Sequence, residues 1–177
     1  FSYIEWGLHT VSTLLYGLTV ILIVPFVMVY TRGINDVNYN VPVFAFCLTI
    51  SKFGYSLRMP YQSLIFAAGH FKQTRFGSYV EAGINISLSL IFVQWLGLIG
   101  VALGSLIAMF YRTVYLAVYL SENIIKRPIS LFLKNLIVDI IVLLLIIFIG
   151  NIVINRMQIN DFTDWFLAAI VLSALSS

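Results

Sequence analysis

The residues most able to do chemistry in this sequence are few, and they lie inside long apolar runs, where charge is costly. Arg58 and Lys52 share one such run, with Lys52 about 9 Å further along a helix at ~1.5 Å per residue. Helical spacing puts Tyr55, Arg58 and Gln62 on one stripe, with Ser51 close to it. Pro60 follows two residues after Arg58 and is expected to free a carbonyl and kink the helix. A kinked helix with a polar stripe and a central arginine reads as a cavity wall able to hold an anionic group. The structural alternative is an arginine paired to a neighbouring helix, with Lys52 snorkelling outward. Glu81, Asn85 and Ser89 form a second stripe at i, i+4 and i+8. Glu81 is expected to pair with Lys72 or Arg75 near the membrane surface, and Asn85 to act deeper, as a ligand or as a packing hydrogen bond. Arg112 and Asp139 complete the buried charges, with Arg112 a candidate partner for Asp139.

Enzyme signatures are absent. The sequence has no Gly-rich phosphate loop, no HExxH and no paired cysteine, and neither His9 nor His70 has ligand-like sequence neighbours. Neither a metal nor a cofactor is expected.

The elements that carry these residues follow from composition. Of 177 residues, 61% are apolar and 10% charged, with mean hydropathy +1.01. A soluble domain carries about 25% charged residues, so this chain could not cover a water-facing surface. Cys47 lies in an apolar run, so no disulfide framework is implied. A net charge of +3 gives no argument for nucleic acid.

A span of about 20 residues crosses a bilayer core. Apolar runs predict six helices at roughly 7–30, 42–70, 77–95, 97–120, 131–155 and from about 163. The expected fold class is all-α, a polytopic membrane protein with about six transmembrane helices, the last truncated. Residues 1–177 read as a single helical membrane region. Loop charges set the orientation. Lys72, Arg75, Lys126, Arg127 and Lys134 fall on one side, against Arg32 and Arg156 on the other. Loops 71–76 and 121–130 are therefore expected to be cytoplasmic, with residue 1 inside. Trp6, Trp95 and Trp165 are expected at the interfaces. The first residue is not Met and the last run is short, so the chain is expected to be part of a longer protein.

The stretch Arg58–Leu120, through its run RMPYQSLIFAAGHFKQTRFGSYVEAGINISLSLIFVQWLGLIGVALGSLIAMFYR, resembles polysaccharide-unit flippases of the multidrug/oligosaccharidyl-lipid/polysaccharide exporter superfamily. The matching residues are Pro60, Ala68 with Gly69, Lys72, Thr74, Glu81, Asn85, Gly97, Gly100 and Gly104. Upstream, Pro25-Phe26, Tyr30-Thr31, Asp36 and Tyr39 look like the family's preceding helix and loop. The resemblance implies the C-terminal lobe of a two-lobed, MATE-like transporter, with the N-terminal lobe absent from this stretch. It implies a multi-pass protein of the bacterial cytoplasmic membrane that moves a polyprenyl-pyrophosphate-linked oligosaccharide between leaflets by alternating access, with H+ or Na+ as coupling ion. Arg58, Lys52 and Gln62 would then contact the anionic headgroup, with Asn85, Arg112 and Asp139 as further cavity candidates. The alternative is a cation-coupled multidrug exporter of the same fold, which favours acidic cavity residues. A third class, a membrane-embedded transferase, needs clustered His, Asp and Glu near one surface, and no such cluster is visible along the sequence.

Overall fold

The computed structural model describes residues 1–34, 39–154, 156, 157, 159 and 161–176. Helices follow one another with short turns: α1 (Ser2–Tyr30), α2 (Pro42–Ala67), α3 (Phe71–Leu96), α4 (Leu98–Leu120), α5 (Ser130–Ile154) and α6 (Phe162–Ser176). No strand occurs among the described residues. Asp36, one of the loop residues expected to matter, lies outside them.

Each boundary has a local cause. Pro42 opens α2 at a position whose N–H would be unpaired anyway. Gly69 (φ 78°) and Gly97 (φ 58°) take the left-handed backbone that the turns on either side of α3 require. α4 ends in a π-helical turn, Ser121–Ile125, after which Lys126 adopts a left-handed conformation (φ 53°). That reversal turns Arg127 back toward α1.

Four helices are long and apolar enough to cross a membrane: α1, α3, α4 with its π-helical extension, and α5. The chain is thus an all-helical protein with membrane-spanning character, though not with six helices that qualify on length and composition. α2 has 26 residues, but Ser51, Lys52, Ser56, Arg58, Gln62 and Ser63 dilute its hydropathy. α6 has 15 residues, about 22 Å of helix at ~1.5 Å per residue.

One expectation needs correction. Residues 71–76 are not a loop but the opening turns of α3, and the connection from α2 shrinks to Ala68–His70. Polar residues such as Lys72, Gln73 and Arg75 suit the wet end of a membrane helix as well as they suit a turn.

The antiparallel helices leave two ends. The near end carries residue 1, the 68–70 turn and the 121–129 linker; the far end carries the last residues of α1, α3 and α5 and the first of α2, α4 and α6. α4 packs between α2 and α3, and α1 packs on α2, α5 and α6. Tyr61, Ile65, Leu116, Ala117, Leu120 and Phe132 form the near-end core, and Ile21, Leu22, Ala168 and Leu172 the far-end core. Trp165 joins the latter, donating Nε1–H to the Leu22 carbonyl at 3.1 Å, whereas Trp6 and Trp95 are exposed.

Candidate functional site

The polar side chains inside the bundle gather into two buried groups. The first lies between α2, α3 and α4. Arg58 Nη1 donates to Glu81 Oε1 at 2.8 Å, and Arg112 Nε sits 3.6 Å from Glu81 Oε2. Arg112 also donates to the Thr74 carbonyl (3.0 Å) and to Ser78 Oγ (2.9 Å). Tyr55 and Tyr115 place their rings against the Arg58 and Arg112 guanidinium groups, 4.6 and 5.3 Å from centroid to Cζ. Arg58 is 9% exposed and Arg112 4%.

This arrangement overturns the expected surface pairing of Glu81. Because α3 begins at Phe71, Glu81 lies ten residues in, about 15 Å along the helix. Arg58 is nine residues from the end of α2, about 14 Å, and Arg112 eight from the end of α4, about 12 Å. The three charges therefore meet at one level of the bundle, about 12–15 Å from its near end. Two guanidinium groups share one carboxylate, leaving a formal excess of one positive charge. Among the described residues, Arg58 Nε is buried with no hydrogen-bond partner.

Local packing makes room for this. A Cβ on Gly77 would collide with Arg112 Nη1 and Tyr115, so only glycine lets α4 deliver Arg112 into α3. Tyr111, Tyr115 and Tyr119 stack along α4. They line an open groove of about 740 Å³ that ends at Glu122.

The second group lies between α1, α2, α5 and the 121–129 linker. Arg127 Nη2 donates to both Glu5 oxygens at 2.6 Å. Tyr61 donates its hydroxyl to Glu5 Oε1 and lies 3.4 Å from His9 Nε2. His9 Nδ1 bonds Asp139 Oδ2, and Thr13 donates to Asp139 Oδ1 at 3.1 Å. Glu5, His9, Tyr61, Thr13 and Asp139 are all buried.

The candidates thus separate. Arg58 and Arg112 come together around Glu81. Asp139 pairs with His9 rather than Arg112, because α5 packs on α1 and has no substantial contact with α4. Lys52 is exposed and lines a different groove of about 480 Å³, between α1 and α2, with Tyr16 and Thr49. Gln62 is half-buried and takes no part in the Arg58–Glu81–Arg112 network. Asn85 Oδ1 accepts from Ser89 and Ser105 at 3.1 Å each, tying α3 to α4 as a packing bond. His70 caps α3 and bonds the Tyr119 hydroxyl at 2.9 Å.

Two buried, hydrogen-bonded residues of the second group, Glu5 and His9, are not among the candidates the sequence marks. The signal was present: Glu5, His9 and Thr13 stand at i, i+4 and i+8, the same spacing that marked Glu81, Asn85 and Ser89. The clustered His, Asp and Glu group not visible along the sequence is therefore present in space. Among the described residues, no set of three or more His, Cys, Asp or Glu is arranged to hold a metal ion. Comparison with protein-family models, curated proteins and solved structures finds no match to this chain.

Proposed function

We propose that this bundle is part of a flippase for polyprenyl-pyrophosphate-linked oligosaccharides, built like the C-terminal lobe of a MATE-like transporter and set in the bacterial cytoplasmic membrane with its near end inside. The observation that carries the reading is the Arg58–Glu81–Arg112 group. Two buried guanidinium groups around one carboxylate hold net positive charge at mid-depth, with an Arg58 N–H still unused. An anionic headgroup crossing a low-dielectric core is stabilised by such a charge, whereas a cationic drug is repelled by it. The tyrosine-lined groove along α4 leads to Arg112 through the Tyr115 ring and offers stacking surfaces of the kind sugars use. In this reading α2 and α6 complete six spans. α2 tolerates its polar content because Ser51, Arg58 and Tyr61 face protein rather than lipid. A transferase site is less well supported: the Glu5–His9–Asp139 group is sealed, with Glu5 1% and His9 2% exposed.

The test is Arg58→Ala in cells that depend on this protein for surface glycan. Losing a charge-assisted hydrogen bond of about 1.5–3 kcal/mol is expected to lower export about tenfold or more, with lipid-linked units accumulating on the inner leaflet. Unchanged export at equal protein level overturns the assignment. Increased sensitivity to cationic dyes with normal glycan export assigns the chain to drug efflux instead.

A further inference from the structure

Lys52 is left out of the Arg58–Glu81–Arg112 group, and its surroundings have a different chemistry. Six positions turn it about 120° from Arg58 around α2, into the groove against α1. It lies ten residues into the helix, about 15 Å from the far end. Arg58 and Arg112 share Glu81, but Lys52 has no ion-pair or hydrogen-bond partner among the described residues. No described residue lining its groove is acidic. α2 and α4 contain no Asp or Glu, and the single acid of α1, Glu5, is held by Arg127 near the opposite end.

The groove is polar at its inner part and apolar toward the far end. Thr19 and Thr49 donate their hydroxyls to the Leu15 and Ala45 carbonyls at 2.7 and 2.8 Å, so those protons are used. The Tyr16 hydroxyl has no hydrogen-bond partner among the described residues, and its ring rests against Phe53. Two donors therefore remain, an ammonium and a phenolic O–H. Beyond them Val24, Val27, Val41, Phe44 and Leu48 continue the wall toward the far end. The volume of about 480 Å³ falls within the ~300–1,000 Å³ of small-molecule sites.

One cation beside an apolar wall matches one negative charge. A dianion would leave charge uncompensated in a low dielectric, and a neutral or cationic molecule would leave Lys52 unpaired. Two donors with no acceptor of their own suit the oxygens of a carboxylate. The direction of the wall argues against a phospholipid of the far leaflet. Such a lipid keeps its phosphate at the surface and would bring its chain ends, not its charge, to Lys52.

We infer that the α1–α2 groove binds a monoanionic amphiphile, an apolar carboxylate whose oxygens meet Lys52 and Tyr16 and whose body lies along the wall toward the far end. Binding is reversible, with no covalent bond made or broken. The site lies on a different face of α2 from Arg58, and the inference does not rest on the transport reading.

The experiment follows the fluorescence of dansyl-undecanoate with the purified protein in nanodiscs of zwitterionic lipid, against empty nanodiscs. Saturable binding above the empty discs is expected, with dodecanoate displacing the probe about tenfold more effectively than dodecanol or dodecyltrimethylammonium. Lys52→Gln is expected to weaken carboxylate binding about tenfold, the loss of one charge-assisted hydrogen bond, and Tyr16→Phe about threefold. Ala45→Phe, which fills the wall, is expected to weaken dodecanoate and dodecanol alike. Because Lys52 has no partner to lose, Lys52→Gln is expected to keep the unfolding temperature of the unliganded protein; a clear fall would make the lysine structural and overturn the proposal. Binding no better than to empty discs also overturns it, since lipid or another protein segment then fills the groove. Equal affinity of wild type and Lys52→Gln does the same. So does displacement by phosphatidylglycerol as readily as by dodecanoate, which would mark a lipid-binding surface instead.

Discussion

Glu81 is half-buried and differs from the buried acids Glu5 and Asp139 because it faces two cations at once. Its carboxylate meets Arg58 at 2.8 Å and Arg112 at 3.6 Å. Glu81→Gln keeps the shape but leaves two guanidinium groups beside a neutral amide. Removing one partner of a buried ion pair costs about 3–5 kcal/mol, and the partial exposure of Glu81 places this case at the lower end or below it. The expected outcome is a marked fall in the unfolding temperature of the detergent-solubilised protein. Glu81→Asp, whose shorter side chain preserves the charge, is expected to recover part of it. Equal stability of Glu81→Gln and wild type would show that the arginines find other anions. The sequence exposed Arg58, Arg112 and Asp139 as anomalies because charge in an apolar run is visible locally. It did not expose their partners, since pairing depends on how helices rotate against one another. Arg58 and Glu81 are 23 positions apart, and His9 and Asp139 are 130.

At the scale of elements, helix limits were readable to within a few residues wherever the run was uniformly apolar, as in α5. They failed at the α2–α3 connection, where the polar residues 72–75 have the composition of a turn and the geometry of a helix start. The α3–α4 hairpin shows what glycine spacing does once the helices exist. Gly104 lies so close to α3 that an added Cβ would stand 2.7 Å from the Ser89 backbone nitrogen, and one on Gly100 would strike the Phe92 carbonyl. Asn85 bonds Ser105 across the same seam at 3.1 Å. Gly104→Leu is therefore expected to force the helices apart at a cost of about 1–3 kcal/mol, read as a lowered unfolding temperature. Gly83 stands on the same α3 helix with nothing within 4 Å of its would-be Cβ. There, Gly83→Ala is expected to be neutral or to stabilise by up to ~1 kcal/mol. An unfolding temperature for Gly104→Leu equal to or above that of wild type would mean that close packing does not govern the hairpin.

For the whole molecule, the strongest constraint is the agreement between charge and chain direction. α1 through α5 alternate, so the 68–70 turn and the 121–129 linker share one end, with His70 reaching Tyr119 and Arg127 reaching Glu5 across it. The basic residues Lys72, Arg75, Lys126, Arg127 and Lys134 gather at that end, the bias on which the proposed cytoplasmic orientation rests. The opposite end pairs Arg32 with Asp161 at 3.0 Å and so contributes little net charge. α3 buries only Thr74 and Gly77 among its described residues, leaving most of its apolar surface to lipid or to another protein surface. This orientation is tested by replacing buried Cys47 with serine and introducing single cysteines at two exposed positions, Ile34 and Asn123. In intact cells a membrane-impermeant thiol reagent is expected to label Ile34→Cys, and Asn123→Cys only after permeabilisation. The reverse pattern would turn the bundle over and place the 68–70 turn and the 121–129 linker at the outer face.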